Sequence, residues 1–312
     1  MFHDTVRPPP RAIERRRLMT GIAASALAAG ALVAGPASAA PAPVWTPVPI
    51  PPQAQAREGM ADLPGTRLWY WDTGGTGRPV ILLHAGTQSA AGWVYQQPVL
   101  AKAGYRVIGY SRRGYHKSDP GDPANPGFAS EDLDHLLGHL NIAQADLVAA
   151  AHGGYFALDY VLSHPGKVRS LTIVSSLMGI TDADYAAVNA RLRPKFFAGL
   201  PHDFQELSPS YRAGDPAGHA AWLALDHQAI PGTRISPNLK HTLTWALLET
   251  IRHPTLLVTG ESDLYTPPSL LRMQARHMPH AEVATIAEAG HSPYWEQPEI
   301  FNRLLLDFLA RH

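Results

Sequence analysis

The sequence has no cysteine. That excludes a disulfide framework, a cysteine–zinc site, an iron–sulfur cluster and a catalytic thiol. It also lacks an excess of either charge: 26 Lys+Arg stand against 26 Asp+Glu, and charged residues make up only 17% of the chain. With no basic field to hold a phosphate backbone, a nucleic-acid partner is not expected. Apolar runs long enough to cross a bilayer are missing as well. The Ala-rich stretch Gly21 to Gly35 falls short of the roughly 20 residues that a spanning helix needs.

That stretch has another use. Glu14-Arg15-Arg16-Arg17-Leu18-Met19-Thr20 precede it, and Ala37-Ser38-Ala39 supply the small residues that a signal peptidase reads. Residues 1–39 therefore read as a twin-arginine export signal, and the mature protein is expected to be periplasmic or secreted, with no membrane attachment. Removing the signal takes away five arginines and two acids and leaves a mildly acidic chain. An oxidising compartment suits a protein without cysteine. Residues 40–57, with Pro41, Pro43, Pro47, Pro49, Pro51 and Pro52, are expected to form an extended, unpaired tether.

The remaining span, 58–312, is expected to be one folded domain, because a chain that is 45% hydrophobic can bury a substantial core. Short apolar runs alternate with longer helical stretches, the pattern of parallel βαβ units. Strands are expected at Arg67 to Trp71, Val80 to His84, Arg106 to Tyr110, Asp146 to Ala150, Arg169 to Ser175, Thr255 to Thr259 and Glu282 to Ile286. Helices are expected at Ala90 to Ala103, Ser130 to Leu140, Gly153 to Ser163, Pro268 to His277 and Pro298 to Arg311. The interval Leu177 to Arg252 has helical patches, scattered proline and no convincing strand, and reads as an inserted helical cap.

In an open α/β sheet, ligands bind at the carboxyl ends of the strands. Leu82-Leu83-His84-Ala85-Gly86-Thr87 ends one strand in a turn of little bulk, whose backbone N–H groups can face a ligand oxygen or simply make a tight turn. Leu147-Val148-Ala149-Ala150-Ala151-His152-Gly153-Gly154-Tyr155 turns sharply from strand to helix through small residues. Leu256 to Asp263 sets an acid just past a late strand, and Ala289-Gly290-His291-Ser292-Pro293 sets a histidine past the last one.

The second of these loops resembles the nucleophile elbow, G-x-S-x-G, of the α/β-hydrolase family. Ala149 stands for the first Gly, Ala151 for the nucleophile, and Gly153 keeps the last Gly. Ala151, Asp263 and His291 follow the family order of nucleophile, acid and histidine, and the cap interval fills the wide gap between the first two. Gly109-Tyr110-Ser111-Arg112-Arg113-Gly114-Tyr115-His116-Lys117-Ser118 also resembles the family's D-x-R-G-x-G-x-S loop, with Ser111 in the acid's place. The resemblance covers about Thr66 to His312. It implies an α/β fold with a mostly parallel central sheet flanked by helices, plus an inserted cap over about 177–252. It further implies that His291 is a general base oriented by Asp263, that the N–H groups of Gly86 and His152 form an oxyanion hole, and that a small organic molecule is the substrate, with no cofactor and no metal.

Ala151 has no hydroxyl, so an acyl-enzyme cannot form there. Four readings are open. The alanine replaces a Ser or Asp removed by mutagenesis, against which the intact export signal and the lack of an affinity tag argue. The Asp263–His291 pair activates water, or takes a proton from the substrate as in hydroxynitrile lyases and cofactor-independent dioxygenases of this fold. Another strand-end hydroxyl attacks, from Ser111, Ser175 or Ser176. Or the chain is a non-catalytic small-molecule binder. The paired acid and histidine favour an enzyme that hydrolyses an ester, a lactone or an activated carbon–carbon bond, with a lyase or oxygenase next.

Other residues have plainer readings. His135 and His139 are four apart, but Leu136 stands where a zinc-binding H-E-x-x-H needs Glu, and Asp132 with Asp134 marks an exposed helix start. Arg112 and Arg113 read as structural. His202, His219, His227 and His241 are too dispersed for a ligand set. Trp222, Trp245, Trp295, Tyr265, Phe196 and Phe197 surround the cap interval and the loops bearing Asp263 and His291; most read as core, and a cap rich in aromatics suits an apolar or ring-bearing substrate.

Overall fold

A computed structural model describes residues 45–312. The expected export signal lies outside the described residues. Eight strands form one sheet: β1 (Arg57–Leu63), β2 (Thr66–Asp72), β3 (Pro79–Leu83), β4 (Arg106–Tyr110), β5 (Ala145–Ala150), β6 (Val168–Val174), β7 (Thr255–Gly260) and β8 (Ala281–Ile286). Their order is β1-β2-β4-β3-β5-β6-β7-β8, antiparallel through β1, β2 and β4 and parallel from β4 to β8.

The central strands are apolar on both faces because helices cover both. Ile81, Leu83, Leu147 and Ala149 face a core shared with the helices Ala129–His139, His152–Ser163 and Pro268–Ala275, while Val80, Leu82, Val148 and Ala150 face the opposite one, with Pro298–Arg311. The chain winds from β3 outward to β4 and then returns to start β5 on the other side of β3. Such a reversal splays the loops after β3 and β5 apart and opens a crevice at their carboxyl ends.

Three expectations need correction. Strand β1 was not expected. It is an edge strand in which only Ala61 is buried, so it carries no apolar alternation to read. The single helix expected over Ala90 to Ala103 is a short 3₁₀ turn, Ala90–Gly92, followed by a helix at Gln97–Lys102. Pro98 explains the break, since its ring and missing N–H are tolerated only in a helix's first turn. The proline-rich segment is extended but held: Trp45 is buried edge-on against Tyr211, the Tyr95 hydroxyl donates to the Val48 carbonyl, and the Gln97 amide both donates to and accepts from the Ala54 backbone. Between β6 and β7 the chain adds no strand to the sheet and forms the helices Ala183–Leu192, His202–Glu206, Pro209–Gly214, Pro216–Ala229 and Trp245–Leu248.

Candidate active site

The turn after β5 is strained. Ala151 takes φ 47° and ψ −113° at the N-terminus of the helix His152–Ser163. Holding a residue with a side chain there costs about 1–3 kcal/mol. The small residues that follow are dictated by packing. A Cβ on Gly153 would collide with the Leu83 carbonyl oxygen at the end of β3, and one on Gly154 would lie 2.5 Å from Ser176 Oγ. The turn thus fits between the ends of β3 and β6, with the Ala151 methyl facing a cavity of about 420 Å³.

Across that cavity stands His291. Its Nδ1–H donates to the Asp263 carboxylate, with both oxygens at 2.9 Å. Asp263 is fixed in turn by the N–H groups of Tyr265 (2.7 Å) and Thr266 (2.9 Å) and by the Thr259 hydroxyl (2.9 Å). Nδ1 being engaged, Nε2 is the nitrogen left for the cavity, which His291 lines. Burial alone would pull the His291 pKa down, but the Asp263 carboxylate outweighs it and the net shift is upward from 6.5. Burial pushes Asp263 up, and His291 with the donated hydrogen bonds more than reverses this, so its pKa lies below 3.8.

Gly86 and His152 come together as their loops converge: a Cβ on Gly86 would sit 3.6 Å from that of His152. The His152 N–H belongs to a helical first turn and so has no intrahelical acceptor. Arg112 braces the Gly86 loop from beneath by donating to the carbonyls of His84 and Ala85, and its guanidinium lies over the rings of Tyr115 and Phe156. The His152 imidazole also lines the cavity. Burial, with Arg112 and Arg234 nearby, lowers its pKa to about 3, which keeps it neutral.

Several lining residues carry no role read from the sequence, where His202 is too dispersed for a ligand set. Glu206, His202 and Arg234 come from the stretch between β6 and β7, Thr87 from the loop after β3 and Tyr155 from the first turn of the helix His152–Ser163. The His202 Nδ1 pairs with Asp226 at 3.0 Å, and the Arg234 guanidinium donates to the Tyr115 hydroxyl. Residues between β6 and β7 follow no strand register, so no sequence rule marks them. Of the three alternative hydroxyls, Ser111 accepts from the Ala90 N–H and Ser176 from the Met178 N–H. Ser175, at φ 50°, has an unpartnered hydroxyl and lines the cavity. Of the aromatics, Tyr265 packs 4.4 Å from the His291 ring, Trp222 and Trp295 are core, and Phe196 is exposed.

Asp132 is not an exposed helix-start acid. It is buried and accepts two 2.7 Å hydrogen bonds from Arg113, a structural ion pair. His135 and His139 are exposed on the same helix.

A family model described as the alpha/beta hydrolase fold matches residues 78–210, which span β3, the Ala151 turn and β6. The chain has the α/β-hydrolase fold. It is similar to a 2-hydroxy-6-oxononadienedioate/2-hydroxy-6-oxononatrienedioate hydrolase of Paraburkholderia phymatum, with 28% identity over 275 residues that cover 81% of this chain and 93% of that protein. Among solved structures it resembles a thermophilic esterase of Thermogutta terrifontis (TM-score 0.66, 24% identity, 83% of this chain and 99% of that one). It also resembles Est816, described as an N-acyl homoserine lactone degrading enzyme (TM-score 0.66, 25% identity, 80% and 100%). The curated relative and both solved structures are themselves described as hydrolytic or degrading enzymes.

Proposed function

We propose that this hydrolase cleaves an ester, a lactone or an activated carbon–carbon bond of a small organic substrate by activating water directly, with no enzyme hydroxyl at the elbow. The observation that carries the reading is the His291–Asp263 pair beside a strained elbow that presents only a methyl. With Nδ1–H on Asp263, Nε2 takes a proton from a water whose oxygen attacks the carbonyl carbon. The N–H groups of Gly86 and His152 receive the negative charge that develops on the carbonyl oxygen. Asp263 holds the tautomer and stabilises the imidazolium. Residues 1–39 carry the chain out of the cytoplasm as a twin-arginine signal, and the interval 177–252 acts as the cap that shapes the pocket.

The test is turnover of p-nitrophenyl esters and lactones by residues 40–312, beside His291→Ala. Loss of a positioned general base lowers the rate by about 10²–10⁴, and a His291→Ala enzyme as active as its parent refutes the reading. A second reading, proton abstraction by the same pair in a lyase or cofactor-free oxygenase, draws support from the neutral His152 imidazole in the pocket. It predicts a product that gains no water.

A further inference from the structure

We propose that Glu206 is a catalytic residue of this pocket, the carboxylic acid that protonates the leaving alcohol. The proposal rests on the hydrolase reading above.

Glu206 ends the short cap helix His202–Glu206, lines the cavity and is buried. Its Oε1 accepts from the Thr87 hydroxyl at 3.0 Å and its Oε2 from the Ser292 hydroxyl at 3.4 Å. Thr87 follows Gly86 and Ser292 follows His291, so the carboxyl spans the loop of the proposed oxyanion hole and the loop of the base. Its own carbonyl accepts the His291 N–H at 2.6 Å, which ties the cap backbone to the base. Both side-chain partners are neutral hydroxyls, and together with the nearby His291 they only partly offset the cost of burying a negative charge. Burial accordingly pushes the Glu206 pKa above the ordinary 4.5, towards the protonated acid.

The pocket therefore brings together two titratable groups, an imidazole oriented by Asp263 and a buried carboxyl clasped between the loops of Thr87 and Ser292, each raised above its ordinary pKa. In the first step His291 Nε2 takes a proton from water as the water oxygen bonds to the carbonyl carbon. The tetrahedral oxyanion then collapses, the bond from carbon to the leaving oxygen breaks with its electron pair on oxygen, and the Glu206 proton goes to that oxygen. The proton on His291 returns to Glu206 through solvent, and the cycle closes with one water consumed.

An alkoxide leaves only with a proton, whereas p-nitrophenolate leaves without one. Glu206→Gln should therefore lower kcat/KM for ethyl esters by about 10²–10⁴ and for p-nitrophenyl esters of the same acid by less than tenfold. A merely structural clasp lowers both by one factor, and equal losses overturn the proposal. Glu206→Asp keeps the acid and guards against a folding defect. It should retain more ethyl-ester activity than Glu206→Gln at a matched melting temperature, and a Gln variant as active as the Asp variant contradicts the assignment. Failure of the hydrolase reading shows separately, as a parent inactive on both ester classes, and removes this assignment with it.

Discussion

Asp263→Asn tests the dyad at its orienting end. Asp263 Oδ1 already accepts from the Tyr265 and Thr266 N–H groups at 2.7 and 2.9 Å, so the amide oxygen of the variant is held on that side. The new –NH₂ then falls at the Oδ2 position, 2.9 Å from both His291 Nδ1 and Thr259 Oγ1. The retained oxygen also lies 2.9 Å from Nδ1 but already accepts two backbone N–H groups, so the new donor facing Nδ1 turns that nitrogen into an acceptor and moves the ring proton to Nε2, where it blocks proton abstraction from water. A wrong tautomer of this kind costs a serine-protease triad about 10⁴ in kcat. At about 1.4 kcal/mol per factor of ten, a loss of 10³–10⁴ corresponds to about 4–5.5 kcal/mol of lost transition-state stabilisation. The assay is kcat/KM on a lactone in a pH-stat, with ¹⁵N NMR of the imidazole to identify the tautomer. An Asp263→Asn enzyme that keeps more than a tenth of the parent rate refutes the reasoning.

The pH profile follows from the upward shift of His291: kcat/KM should fall tenfold per pH unit on an acid limb whose midpoint lies above 6.5, because only the neutral imidazole is a base. The stabilisation from the same shift has the opposite sense: it is complete below 6.5 and lost as pH rises through the folded-state value, which urea titrations at several pH values will detect. Arg113→Met leaves Asp132 buried and unpaired and should cost about 3–5 kcal/mol of unfolding free energy by urea denaturation. Gly153→Ala drives a methyl into the Leu83 carbonyl and should cost at least about 1–3 kcal/mol, read as a fall in melting temperature.

How much was legible depended on which physical signal a segment carries. The strands β3 to β7 announce themselves because parallel strands covered on both faces must be apolar throughout, while the antiparallel β2 and the half-exposed edge strand β8 still carry β-branched or aromatic residues. Strand β1 has one buried residue and carries Arg57, Glu58 and Asp62, so no hydrophobic pattern could report it. Asp263, His291 and Ala151 could be found because strand ends are where such a sheet presents chemistry, and the fold brings those loops to one cavity. Glu206 could not. It sits in a five-residue helix, and only the packing of that helix against Gly290 and His291 carries its carboxyl to the site. Asp132 misled for a related reason. Two acids at a helix start suggest a solvated face, and nothing local reveals that Arg113 arrives from the loop after β4 to bury one of them.

The central claim is that water, and no hydroxyl of the enzyme, attacks the substrate. Stopped-flow hydrolysis of a p-nitrophenyl ester by the parent chain tests it most directly. Attack by water predicts a linear release of p-nitrophenolate from the first turnover, a rate that falls by about 10²–10⁴ in His291→Ala, and a burst that appears only after Ala151→Ser. A burst of one equivalent per active site in the parent would mean that an enzyme hydroxyl, with Ser175 the candidate in the cavity, forms an acyl-enzyme, and would contradict the account.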